Sequence, residues 1–274
     1  MKPFVLNIIF ILFAGFINAQ TYVELIEKSY DYITKIDLPA AEECLKEAMR
    51  LEPANKYNYA LLTNLGTIQR RQGHLTEALL SYTVALEQQP KNELILENRA
   101  ALYTEMDEIE LALSDYHTLI MLNPLNEEAL YQRGLLYIQS RNIILAEADF
   151  ERLMEINQET VKGRLGFALL EKIRENYMES EIILNYLISK YPDYLLLYEE
   201  RAELYLLMNR RGRAMADVSK VFAGTANPSA ELYVLRGKIK LAQYEKESAA
   251  IDFRKAQALG YDATTIETLL KQTY

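Results

Sequence analysis

At 274 residues, half of them hydrophobic and a quarter charged, the chain has a globular make-up rather than a disordered or collagen-like one. Ten glycines and seven prolines are too few for a β-sandwich or barrel, whose turns recur about every ten residues, so the reading is helical. A formal charge of −9 is repelled by phosphate backbones, which sets nucleic acid aside as a partner, and two histidines, one cysteine and no tryptophan leave little material for catalysis.

The N-terminus, MKPFVLNIIFILFAGFINAQ, carries a positive charge at Lys2 and an apolar run from Phe4 to Ile17 broken only by Asn7. Small Ala19 stands before Gln20. This is the layout of a secretory signal peptide over residues 1–19, cleaved after Ala19. The run is shorter than the roughly 20 residues that span a bilayer. An uncleaved anchor or a buried core helix is the alternative. The expected location is periplasmic or extracellular, with no integral membrane span after cleavage, and loss of Lys2 takes the charge to −10. An odd cysteine in an exported chain can signal an intermolecular bridge. Cys44, however, lies in AAEECLKEAM at helical spacing and reads as a small core residue.

Downstream the chain repeats itself. Small residues recur at Ala41, Ala78, Ala112, Ala146, Ser180, Ala214 and Ala249, in steps of 37, then 34 four times, then 35. Twelve residues before each stands a second small residue: Ser29, Gly66, Ala100, Gly134, Ala168, Ala202 and Gly237. Four residues after each comes a larger apolar one: Leu45, Tyr82, Tyr116, Phe150, Leu184, Val218 and Phe253. Prolines follow the second helix at Pro53, Pro90, Pro124 and Pro192, with Pro228 two residues late. Two small residues let paired helices approach closely, and the bulky residue one turn on fills the space beside them. One hairpin cannot cover its own apolar face. Stacking seven does, so a single solenoid over 20–274 is expected rather than two domains. The predicted units are 22–55, 59–92, 93–126, 127–160, 161–194, 195–228 and 230–262, with a cap over 263–274 whose helix starts at Thr264 or Thr265.

These residues resemble the tetratricopeptide repeat family, whose unit of about 34 residues has a W-x2-L-G-x2-Y, A-x3-F and terminal P pattern. The segment from Asn58 to Pro90 fits well, with Leu62, Leu65, Gly66, Ala78, Tyr82, Ala85 and Pro90 on pattern positions. The tryptophan position holds Leu25, Leu62, Leu96, Leu130, Arg164, Tyr198 and Tyr233 instead. The fifth unit departs most, with Arg164, Glu171 and Ser180 at core-type positions, and local loosening is expected there. The resemblance implies an all-α, right-handed α-solenoid of about seven helix-turn-helix repeats with a C-terminal capping helix.

Four units carry a charge pair on the period: Arg99 with Asp115, Arg133 with Asp149, Arg201 with Asp217 and Arg236 with Asp252. The other three units lack both members. Pairing within each unit uses all eight charges, whereas pairing with the next unit makes only two contacts. The expectation is therefore an intra-repeat bridge, structural in role, with side chains within about 5 Å.

Chemistry has little footing. His74 lies in a hairpin turn and His117 in another unit, Cys44 has no histidine in its unit, and no phosphate loop, GxSxG or HExxH occurs. No cofactor, metal or catalytic residue is expected. The basic clusters, Arg70 with Arg71 and Arg210 with Arg211 and Arg213, read as helix C-terminal ends and turns.

The resemblance implies that a partner lies along the wall of first helices, at the second, fifth, ninth and twelfth positions of each unit. In the last two units these are Leu196, Glu199, Glu203 and Leu206, then Glu231, Val234, Lys238 and Leu241. An apolar strip of Tyr131, Leu135, Ile138, Leu165 and Leu169 crosses the middle, flanked by Lys162 and Lys172 on one side and Glu199 and Glu203 on the other; Arg70 and Glu97 lie further along. Such a strip suits a peptide or protein partner, and internal packing is the competing reading. The positions of the family's carboxylate clamp hold Thr63, Thr67, Asn98, Glu128 and Gln132, so that clamp is absent. The function expected is a non-enzymatic interaction scaffold. Self-association in an envelope assembly, or an enzyme with an unrecognised site, stand as alternatives.

Overall fold

The structure is a computed structural model that describes residues 21–273. The apolar run and the expected cleavage point after Ala19 lie outside the described residues. Among those residues there are fifteen α-helices and no strand. Backbone packing divides the chain into two compact units, Met1–Ala129 and Leu130–Tyr274. The first contains α1 (Tyr22–Thr34), α2 (Leu38–Leu51), α3 (Asn58–Arg71), α4 (Leu75–Gln88), α5 (Glu93–Glu105) and α6 (Ile109–Leu122). Helix α7 (Glu127–Gln139) begins there and runs into the second. The second continues with α8 (Ile143–Ile156), α9 (Val161–Ile173), α10 (Tyr177–Lys190), α11 (Leu195–Leu207), α12 (Arg211–Gly224), α13 (Ala230–Ala242), α14 (Lys246–Ala258) and α15 (Ala263–Lys271).

Each hairpin is closed by the same turn. The first helix of every pair ends in a residue with positive φ: Ile36, Gly73, Asp107, Arg141, Glu175, Asn209 and Tyr244. Around Ile36 the amide of Asp37 donates to the Tyr32 carbonyl at 2.9 Å and that of Ile36 to Ile33 at 3.1 Å, a Schellman closure that recurs in the other six turns. Only one of the seven residues is glycine, so the motif is invisible to a search for Gly. The second helix starts at once, and in α2 Asp37 caps it by accepting from the Ala40 amide. At the far ends Pro53, Pro90, Pro124 and Pro192 each follow directly on the C-cap residue. The last helix is capped by Asp262, not by Thr264 or Thr265, because the Asp carboxylate takes both the amide and the hydroxyl of Thr265.

The periodic residues form the core as their spacing predicts. All seven small residues of the second helices are fully buried, as are Tyr82, Phe150, Val218 and Phe253 among the bulky ones. Burying one such bulky side chain is worth about 1.5–3 kcal/mol. Glycine of the first helix appears where the facing ring needs the room. A Cβ added to Gly66 would stand 2.7 Å from Tyr82, one on Gly134 2.5 Å from Phe150, and one on Gly237 2.5 Å from Phe253. Phe150 is also clasped by Gly166 of the following unit.

The fifth unit meets its departures from the pattern in different ways. Ser180 is fully buried, and its hydroxyl donates to the Ala168 carbonyl at 2.8 Å, so the polar group is satisfied within the contact. Glu171 accepts from Arg174 and Asn176, and Arg164 stacks on Tyr186, but its Nε is buried without a hydrogen-bond partner among the described residues, a cost the other units do not carry at this position.

Candidate binding groove

The four Arg–Asp pairs form within their units, and all are bidentate. Nε and Nη2 of Arg99, Arg133, Arg201 and Arg236 donate to the two carboxylate oxygens of Asp115, Asp149, Asp217 and Asp252 at 2.6–2.9 Å. The carboxylates are buried, and aromatic rings cover the guanidinium groups: Tyr103, Tyr137, Tyr205 and, for Arg236, Phe222 at 3.6 Å. These pairs tie first helix to second. In the second unit of the period a neutral link replaces them, Ser81 donating to Gln69 at 2.7 Å.

Cys44 is buried, and burial pushes its thiol pKa up, away from reactivity. His74 sits at the start of α4 and His117 on the exposed side of α6. Among the described residues no group of three or more His, Cys, Asp or Glu is placed to hold a metal. Arg70 and Arg71 end α3 as expected, but Arg210, Arg211 and Arg213 open α12, the helix end that disfavours cations. Partners on neighbouring helices offset this: Arg210 and Arg213 both reach buried Glu181, and Arg211 lies over Tyr244.

The apolar strip of the wall divides into core and half-buried residues. Leu165 is only 1% exposed and Tyr131 packs on Phe150 with ring centroids 6.2 Å apart, so both belong to the core. Leu135, Ile138, Leu169 and Lys162 are half-buried. In the first compact unit Glu97 is half-buried, and Arg70 is held by Glu105 at 2.6 Å. The residues that do converge are the charges at the edge. Lys172 of α9 reaches Glu200 at 2.8 Å and Glu203 at 2.5 Å. Burial opposes its charge, but the two carboxylates outweigh it and hold its pKa above the ordinary lysine value.

Beyond this pair opens a groove of ≈ 400 Å³ between α11 and α13. Spacing of four and three residues puts Glu199, Glu203 and Leu206 on one face of α11. The same rule aligns Glu231, Val234, Leu235 and Lys238 on α13. Glu200, Leu207 and Tyr261, the last from the turn before α15, complete the lining. Val234 forms a buried floor. Glu199 and Glu231 take part in no ion pair or hydrogen bond among the described residues. Burial, then the charges of Glu200, Glu231 and Glu203, push the Glu199 carboxyl above the usual carboxylate range. Six of the ten lining residues are wall positions given by the repeat register. Glu200, Leu207, Leu235 and Tyr261 are not, because they enter from the flanks of the two helices and from the cap.

Residues 127–160 match the family model of the tetratricopeptide repeat. Among solved structures the chain is similar to a tetratricopeptide repeat protein from Parabacteroides merdae. Identity is 62% over 93% of this chain and 99% of that one, with a TM-score of 0.83. It is also similar in fold to PilW, a widely conserved type IV pilus biogenesis factor (20% identity, 77% and 98% covered, TM-score 0.58), and to yeast Tom70 (15% identity, 86% and 52% covered, TM-score 0.63). No curated protein sequence matches it.

Proposed function

Because the chain belongs to the tetratricopeptide repeat family, whose members generally serve as protein-interaction scaffolds, we propose that it acts without chemistry of its own, as a scaffold that docks a peptide segment in the groove between α11 and α13. The observation that carries this reading is the groove itself: an open cavity of ≈ 400 Å³ whose apolar floor and acidic rim are built on two rigid helices. That volume is in the range of ordinary ligand clefts. Uncompensated carboxylates reduce stability, and a partner that neutralises them recovers it on binding. The protein is exported in this reading, its leader removed after Ala19, so that the docking takes place in the periplasm or outside the cell. Intact mass of the secreted protein tests the export step, with Gln20 as the expected first residue.

Docking is tested by selecting from a random-peptide display library on the purified protein. The selected peptides are expected to bind the wild type and to be lost from Leu206→Glu, with helical content checked by circular dichroism. Peptides that bind both forms equally, or no enrichment at all, overturn the reading.

A further inference from the structure

We infer that the occupant of this groove is a basic and aliphatic peptide segment, a lysine or arginine of which sits among Glu199, Glu203 and Glu231 while its flanking side chains lie on Leu206, Val234 and Leu235. The inference rests on the docking reading above and adds the chemistry of the partner.

Charge complementarity carries it. The lining holds four carboxylates and one ammonium, Lys238. From behind, Lys172 is engaged with Glu200 and Glu203, so its charge is already spent on holding those two side chains. Glu199 and Glu231 line the groove from different helices and neither is in an ion pair among the described residues, while burial first and then the charges of Glu200, Glu231 and Glu203 raise the pKa of Glu199. A cation placed there relieves both the repulsion and the burial penalty. Geometry selects its type. Among the described residues no group of three or more His, Cys, Asp or Glu is placed to hold a metal, and the apolar side chains beside the carboxylates suit an organic cation on a flexible stem. Leu206, Val234 and Leu235 are a surface for such a stem, since lysine and arginine lay their methylenes on apolar walls and keep the charge at the polar end. Tyr261 adds a ring at one edge. A volume of ≈ 400 Å³ takes a few side chains of an extended segment and excludes a folded domain.

The experiment uses the display-selected peptides, resynthesised with a fluorescent label and measured by anisotropy. Each is compared with a version in which its lysine becomes norleucine or its arginine citrulline. The expected result is a basic residue at a fixed position in the groove-dependent peptides. Affinity falls about tenfold on removing that charge, and about tenfold in Glu199→Gln or Glu231→Gln, the size of one charge-assisted contact. These two variants leave the Lys172 bridge intact, so folding is not at stake. Peptides that depend on Leu206 but show no basic position, or bind both Gln variants like the wild type, overturn this inference and leave docking standing. Absence of any Leu206-dependent peptide overturns both.

Discussion

Arg133 holds both carboxylate oxygens of Asp149 across its hairpin, Nε to Oδ2 at 2.9 Å and Nη2 to Oδ1 at 2.6 Å, with Asp149 only 4% exposed. Such a bridge gains little net energy over an apolar pair, since desolvation offsets attraction, but breaking one side strands a buried charge. Asp149→Ala is therefore expected to cost about 3–5 kcal/mol in urea denaturation, whereas Arg133→Met combined with Asp149→Leu costs far less. Equal losses in the single and double variants would show that packing, not charge pairing, dominates there.

Glycine at the close helix contact makes a second expectation, with an internal control. Gly134→Ala drives a methyl group into the Phe150 ring, and a core overpacked in this way loses about 1–3 kcal/mol. Gly212→Ala on α12 meets nothing within 4 Å and is expected to be neutral or to stabilise by up to about 1 kcal/mol through helix propensity. Thermal melts of the two variants should move in opposite directions or, at the least, differ by that margin.

The hairpin turn stores strain that can be released. Ile36 is 72% exposed and has φ 61°, a conformation costly for a β-branched residue. Ile36→Gly is expected to stabilise the protein by about 1 kcal/mol, the strain relieved exceeding the entropy added to the unfolded chain. An unchanged or lowered Tm would show that the side chain packs favourably enough to offset the strain.

Glu199 supplies a pH dependence whose sign follows from linkage. Its folded-state pKa is raised, so the folded protein binds more protons than the unfolded chain just above the ordinary carboxylate range, and stability falls as pH rises through that window. The charges facing it are Glu200 and Glu203 on its own helix, Glu231 and Lys238 on α13, and Lys172 on α9. Glu199→Gln is expected to raise Tm at neutral pH and to lose that advantage in acid. A Tm difference that does not vary with pH would place the effect in packing instead of ionisation.

The register of the repeat was legible in the sequence because it rests on size: only small residues stand from Ala41 through Ala249, and only larger apolar ones from Leu45 through Phe253, where two helices touch. The same register located Glu199, Glu203, Glu231 and Lys238 on the wall. It also paired Arg133 with Asp149, since only within a unit do all eight charges find partners. Position on a helix, however, does not fix depth. Tyr131 and Leu165 share the wall's numbering with Leu135, yet both are buried, Tyr131 against Phe150, as neighbouring side chains from other helices decide.

What the sequence determined by itself is thus the all-helical repeat, its contacts and its internal ion pairs, because each depends on residues a fixed number of positions apart. The tertiary structure alone decided the rest. Schellman turns at Ile36 or Tyr244 appear where no glycine advertises them, for the helices on either side impose the left-handed residue. The groove brings Glu199, Glu203 and Glu231 together from two helices, with Lys172 of a third paired to Glu200 and Glu203 at its edge, an arrangement set by how separate helices pack and not by spacing along the chain.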